Sequence, residues 1–127
     1  MSIEQQTLRG EATFEGAGLH TGASARLRFL PAGPGHGIRF RRVDMPGQPE
    51  IPATLDSVSA TDRNTTLAVG DASVATVEHL LAAVGACGVD NVVIEIDGPE
   101  VPIGDGSFRP FFEVLRGAGL VQQGQPA

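Results

Sequence analysis

Between Ala23 and Leu30 the residues Ala25, Leu27 and Phe29 alternate with Ser24, Arg26 and Arg28, the period of a half-buried strand. Ile38 and Phe40 alternate with Arg39 and Arg41 from Gly37 to Arg42, just beyond the turn-rich Pro31 to Gly37. Together the two segments predict a hairpin whose arginine face points to water or a ligand. Thr7 to Phe14 predicts a first strand. Ile51 to Ala53, Thr65 to Val69 and Ala72 to Ala75 predict shorter ones, the last two joined by a Gly70-Asp71 turn.

From Thr76 the period changes. Val77, Leu80, Leu81 and Val84 recur at helical spacing, Thr76 stands where it can cap the helix, and Gly85 to Gly88 supplies a stop. Asn91 to Ile96 is an almost unbroken β-branched run with Glu95 its only polar interior member, the mark of a buried strand. A loop follows from Asp97 to Asp105. Ser107 can cap a second helix with Pro110 in its first turn, Phe111, Val114, Leu115 and Ala118 as its buried stripe, and Gly117 or Gly119 at its end. Gln122 to Ala127 has no period and predicts a tail or the start of a linker. Short apolar runs separated by 17 glycines and nine prolines therefore predict one mixed α and β domain over residues 1–121, with 122–127 as tail or truncated interdomain linker.

Composition narrows the function. The chain of 127 residues carries 15 acidic against nine basic side chains, a formal charge of −6, and every basic residue is arginine. Such a balance argues against nucleic acid as the main partner, because phosphate contacts need a basic surface. One cysteine, Cys87, excludes an internal disulfide framework and a four-cysteine zinc site, which fits a reducing cytoplasm. No stretch approaches the roughly 18–20 apolar residues of a membrane span, and Met1 to Gly10 is unlike an export signal.

Thr76-Val77-Glu78-His79 sits where a strand passes into a helix. The unpaired N–H groups and dipole of a helix start favour a carboxylate and a neutral imidazole there, the metal-binding form. Successive helix residues diverge by about 100°, so one of the pair can bind metal while the other handles a proton. On spacing alone, the simpler reading is Glu78 as a dipole partner and His79 as a surface residue. The loop Gly16-Ala-Gly-Leu-His20-Thr-Gly22 opens no helix, which removes a dinucleotide reading and leaves His20 as ligand, acid, donor or bystander. Asp105 reads as an orienting group or, more simply, an Asx turn before Ser107. His36 falls at a turn, Cys87 reads as a small core residue, and Arg26, Arg28, Arg39, Arg41 and Arg42 form either a site for a phosphorylated molecule or a solvated sheet face.

In order and spacing, Gly16 to Gly22, Thr65-Thr-Leu67, Thr76-Val-Glu-His-Leu80, Gly88 to Glu95 and Glu100-Val-Pro-Ile-Gly-Asp-Gly-Ser107 closely resemble the first domain of the zinc-dependent UDP-3-O-acyl-N-acetylglucosamine deacetylases of lipid A synthesis. The resemblance implies an α+β two-layer sandwich, one mixed or antiparallel sheet with two main helices on one side, facing a similar second domain across the active site. It implies His79 as a zinc ligand and Glu78 as general base on the water that attacks the substrate amide. His20 and Thr21 match a loop near the site entrance, and Asn64 and Thr65 a segment lining the substrate side, although Arg63-Asn64 departs from the more familiar apolar-small pair there. The family's other zinc ligands lie in the second domain. The resemblance therefore implies Zn2+ only with that complementary domain, a UDP-acyl-sugar substrate, inactivity of these residues alone, and a helix face open to the complementary domain or to self-association. Truncation, a gene fragment and a split enzyme are all compatible with it, as is a non-catalytic sugar-nucleotide-binding or assembly module.

Overall fold

The computed structural model describes residues 3–19, 21–60, 65–103 and 107–127. Its elements run β1 (Glu4–Leu8), β2 (Ala12–Ala17), β3 (Ser24–Pro31), β4 (Ile38–Arg42), β5 (Glu50–Pro52), a 3-10 turn (Leu55–Ser57), β6 (Val58–Ala60), β7 (Thr66–Val69), β8 (Ala72–Ala75), α1 (Glu78–Cys87), β9 (Val92–Ile96), α2 (Arg109–Ala118) and β10 (Leu120–Pro126). The fold is α+β. A five-stranded mixed sheet in the order β2-β3-β9-β4-β5 is joined by a three-stranded sheet β6-β7-β8 and a two-stranded sheet β1-β10.

The alternation read in β3 is real: Ala25, Leu27 and Phe29 are buried and the intervening residues exposed. On the same face lie Phe40, Ile51, Val92, Ile94 and Ile96, packed into one core with Leu80, Ala83 and Val84 of α1 and Phe111 and Leu115 of α2. Phe14 of β2 and Phe111 bring their rings to 4.8 Å. Burying an aliphatic or aromatic side chain of this kind contributes about 1.5–3 kcal/mol, so this face fixes where the helices lie. The opposite face carries a cross-strand row of charges. Arg28 reaches Glu11 at 2.6 Å and Glu95 at 3.5 Å, Arg41 reaches Glu95 at 3.3 Å and Glu50 at 2.8 Å, and Arg26 lies 3.5 Å from Glu15. Carboxylates thus neutralise the arginine face. Donating hydrogen bonds to Glu11 raises the pKa of the Arg28 guanidinium above its ordinary value, and donating to Glu50 does the same for Arg41.

Four local expectations change. β3 and β4 form no hairpin, because β9 lies between them, antiparallel to β3 and parallel to β4. With Val92, Val93, Ile94 and Ile96 all buried and Glu95 covered by Arg28 and Arg41 of its two neighbours, β9 takes the centre. The first predicted strand is two strands, broken by a bend at Arg9-Gly10 that sends β1 to pair with β10. Residues 122–126 form most of β10 rather than a tail, held by the β1 ladder and by Gln123, whose side chain accepts from Asn91 at 2.8 Å and donates to the Ala32 carbonyl at 2.8 Å. Thr76 does not cap α1: Val77 is the cap residue and the Thr76 hydroxyl is bonded elsewhere. At the other end α1 stops as expected, with Gly88 left-handed at φ 76° and its N–H donating to the Gly85 carbonyl. Ser107 accepts from the Arg109 N–H at 3.2 Å, just ahead of the Phe108 cap position of α2.

Asn91 and Arg42 tie the parts together. Asn91 is 2% exposed; it accepts from the Gly37 N–H at 2.8 Å and donates to Gln5 and Gln123. Arg42, 7% exposed, holds Asp44 at 2.9 and 2.7 Å and donates to the Ser73 carbonyl at 2.8 Å, linking the large sheet to β8.

Candidate active site

β8 ends at Ala75 and α1 begins at Glu78, so Thr76 and Val77 make the whole turn from strand to helix. Thr76 takes φ 63°, a left-handed conformation that costs a β-branched residue on the order of 1–3 kcal/mol and persists only where surroundings enforce it. Two neighbours do so. The Thr65 carbonyl accepts the N–H groups of Thr76 at 2.9 Å and Val77 at 3.3 Å, and the buried Thr76 hydroxyl donates to Glu100 Oε2 at 2.8 Å. Val77, wholly buried, anchors the turn in the core.

This turn delivers Glu78 and His79 to the first turn of α1, the carboxylate exposed and the imidazole half-buried. Glu78 Oε1 accepts the Thr65 N–H at 2.7 Å, so the carboxylate is oriented by backbone. Thr65, Glu78 and His79 are thereby brought together. Thr21 joins the same neighbourhood through Glu100: its N–H and hydroxyl donate to Glu100 Oε1 at 2.9 and 3.0 Å. His20, Arg63, Asn64 and Asp105 lie outside the described residues.

Glu100 is the residue that local patterns did not single out. It is 2% exposed, and the segment around it is pinned by the Ala75 N–H donating to the Pro99 carbonyl at 2.8 Å and the Val101 N–H to the Ala75 carbonyl at 3.0 Å. In the sequence it opens the Glu100 to Ser107 motif of the family resemblance, which gives it no role of its own, and it lies in Pro99-Glu-Val-Pro102, where proline favours extended backbone before it. The remaining candidates take structural roles. His36 sits half-buried at its turn, with Nδ1 3.2 Å from the Gly37 carbonyl. Cys87 packs beside α2, and burial pushes its thiol up, away from a reactive thiolate.

Among the described residues, no three His, Cys, Asp or Glu side chains gather closely enough to hold a metal ion. What the arrangement offers is an oriented carboxylate next to an imidazole on a rigid helix start. Among those residues no helix is long and apolar enough to cross a membrane.

Residues 5–127 match the sequence profile of the family described as LpxC, UDP-3-O-acyl N-acetylglycosamine deacetylase. The UDP-3-O-acyl-N-acetylglucosamine deacetylase of Geobacter sp. (strain M21) is 50% identical over 123 residues, which are 97% of this chain and 40% of that protein. The enzyme of the same name from Thermosynechococcus vestitus is 48% identical over 99% of this chain and 44% of its own length. The bifunctional enzyme LpxC/FabZ of Porphyromonas gingivalis is 46% identical over 97% of this chain and 27% of its own. The chain thus spans less than half the length of these relatives. A match that runs through the β3 ladder, the strand-to-helix turn at Thr76 and the closing strand β10 means that the chain belongs to the UDP-3-O-acyl N-acetylglycosamine deacetylase family.

Proposed function

We propose that these residues form the first half of a zinc-dependent deacetylase that removes the N-acetyl group of UDP-3-O-acyl-N-acetylglucosamine in lipid A synthesis. The observation that carries the reading is the Glu78 carboxylate, exposed and oriented by the Thr65 N–H at 2.7 Å, beside His79 in the first turn of α1. A half-buried imidazole on a fixed helix suits one ligand of a zinc ion whose other ligands come from a complementary domain. Zinc, when bound, polarises the amide carbonyl and makes water a better nucleophile at neutral pH.

Glu78 takes a proton from the attacking water as its oxygen bonds to the acetyl carbon. The C–N bond then breaks, acetate leaves, and a proton passes to the sugar nitrogen, which departs as the amine. Thr65 fixes the direction of the Glu78 carboxylate, while Thr21, through Glu100, borders the same region. On this reading His79 is one zinc ligand and the others come from the complementary domain, so residues 1–127 by themselves hold zinc weakly and do not turn over. The helix side bearing Phe108, 40% exposed and stacked edge-on against Phe112 at 5.9 Å, suits the complementary domain.

Combining this chain with a separately produced second domain tests the proposal: zinc-dependent acetate release is expected, and Glu78→Ala is expected to abolish it. A folded complex that binds the UDP-sugar yet releases no acetate would replace this reading with a binding module. Stoichiometric, tight zinc binding by the isolated chain would contradict the ligand count.

A further inference from the structure

We infer that Glu100 is a positioning residue that locks the helix start carrying Glu78 and His79 to the loop at Gly18 and Thr21, so that the two borders of the site move as one. The inference deepens the deacetylase reading, and part of its test rests on that reading.

A carboxylate at 2% exposure is costly unless its oxygens are bonded, and a replacement hydrophobic side chain would fill the same space without that cost. Glu100 divides its two oxygens between the two borders. Oε1 accepts both the N–H and the hydroxyl of Thr21, and Oε2 accepts the hydroxyl of Thr76. The backbone carrying it is bonded on both flanks, Pro99 and Val101 to Ala75, and Ile103 N–H to the Ala17 carbonyl at 3.0 Å. The loop comes so near that a Cβ at Gly18 would overlap the Glu100 carboxylate, which makes glycine a steric requirement there. Thr76 is the strained member, at φ 63°, and its hydroxyl bond opposes relaxation of the turn that aims Glu78. A shift of about 1 Å in a catalytic group can cost on the order of a hundredfold in rate, so a clamp on this turn bears on turnover through Glu78.

Amide hydrogen exchange on the full chain, with Thr21→Val, Thr76→Val and Thr76→Ser, tests the lock directly. Thr21 is exposed, so Thr21→Val empties no core, and it is expected to speed exchange at Thr76 and Val77 by about tenfold, the range of one hydrogen bond to a charged group. Thr76→Val should speed exchange at Thr21 by a similar factor, and Thr76→Ser, which keeps the hydroxyl, should restore the parent rate. Exchange at Thr76 and Val77 unchanged in Thr21→Val would overturn the proposal. In the chain combined with its second domain, Glu100→Gln is expected to lower kcat for acetate release by about 10- to 100-fold with KM unchanged. Unchanged kcat would also overturn it. If the unsubstituted complex releases no acetate, the deacetylase reading fails while the exchange result still decides the lock.

Discussion

The Thr65 N–H meets Glu78 Oε1 at 2.7 Å across 13 positions of chain, while the Thr65 carbonyl accepts from Thr76 and Val77 on the turn just before Glu78. One peptide segment therefore sets both the start of the helix and the direction of its first acidic side chain.

Glu78→Gln keeps an oxygen for the Thr65 N–H and removes only the capacity to take a proton. Thermal unfolding should match the parent, and acetate release by the reconstituted enzyme should fall by about 10²- to 10⁴-fold, the usual contribution of general base catalysis. A variant that is both folded and active would assign the base elsewhere.

His79→Ala places a better helix former at a half-buried position, so stability should change by no more than about 0.5 kcal/mol. Zinc affinity of the reconstituted site should fall by more than about 100-fold, the upper range for losing a group that merely supports a ligand. Competition with a chelator of known affinity measures it.

Arg42→Met removes the guanidinium that holds Asp44 and the Ser73 carbonyl, and should cost about 2 kcal/mol in urea unfolding, less than a fully buried pair because Asp44 is partly in water. Hydrogen bonding from Arg42 holds the Asp44 carboxyl below its ordinary value, with burial opposing. A carboxyl depressed in the folded state binds its proton more readily when unfolded. Its contribution is then full above the unfolded value near 3.9 and disappears as pH falls through the lower folded value. The stability gap between parent and Arg42→Met should therefore narrow below about pH 4.

Asn91→Ala should cost about 2–3 kcal/mol, since it strips a buried hub of bonds to Gly37, Gln5 and Gln123. Removing residues after Gly119 should have a similar effect, because β10 is the partner of β1 and supplies Gln123. Urea midpoints of the two variants measure both.

Legibility in the sequence followed the range of the forces involved. Leu27 and Phe29 announce β3 because burial on one face leaves a period two residues long, and Leu80 and Val84 announce α1 in the same way. Gln122 to Pro126 carry no such mark, since β10 is mostly exposed and is held by backbone pairing with a strand more than a hundred residues earlier. The position of β9 between β3 and β4 follows from competition among strands for the sheet centre, which no local window contains. Glu78 and His79 stood out through their place at a helix start. Glu100 did not, because its meaning lies in Thr21, 79 residues away, and in a Thr76 hydroxyl that spacing alone assigns to a helix cap.

The central place of β9 also orders events on the ribosome. β3 and β4 emerge early, yet the strand that joins them is not complete until Ile96 has been made, about 54 residues after Arg42. At 5–20 residues per second that interval is roughly 3–10 s, during which two apolar strand edges are open to wrong partners. Nascent chains stalled before Val92 should therefore be the ones that chaperones capture.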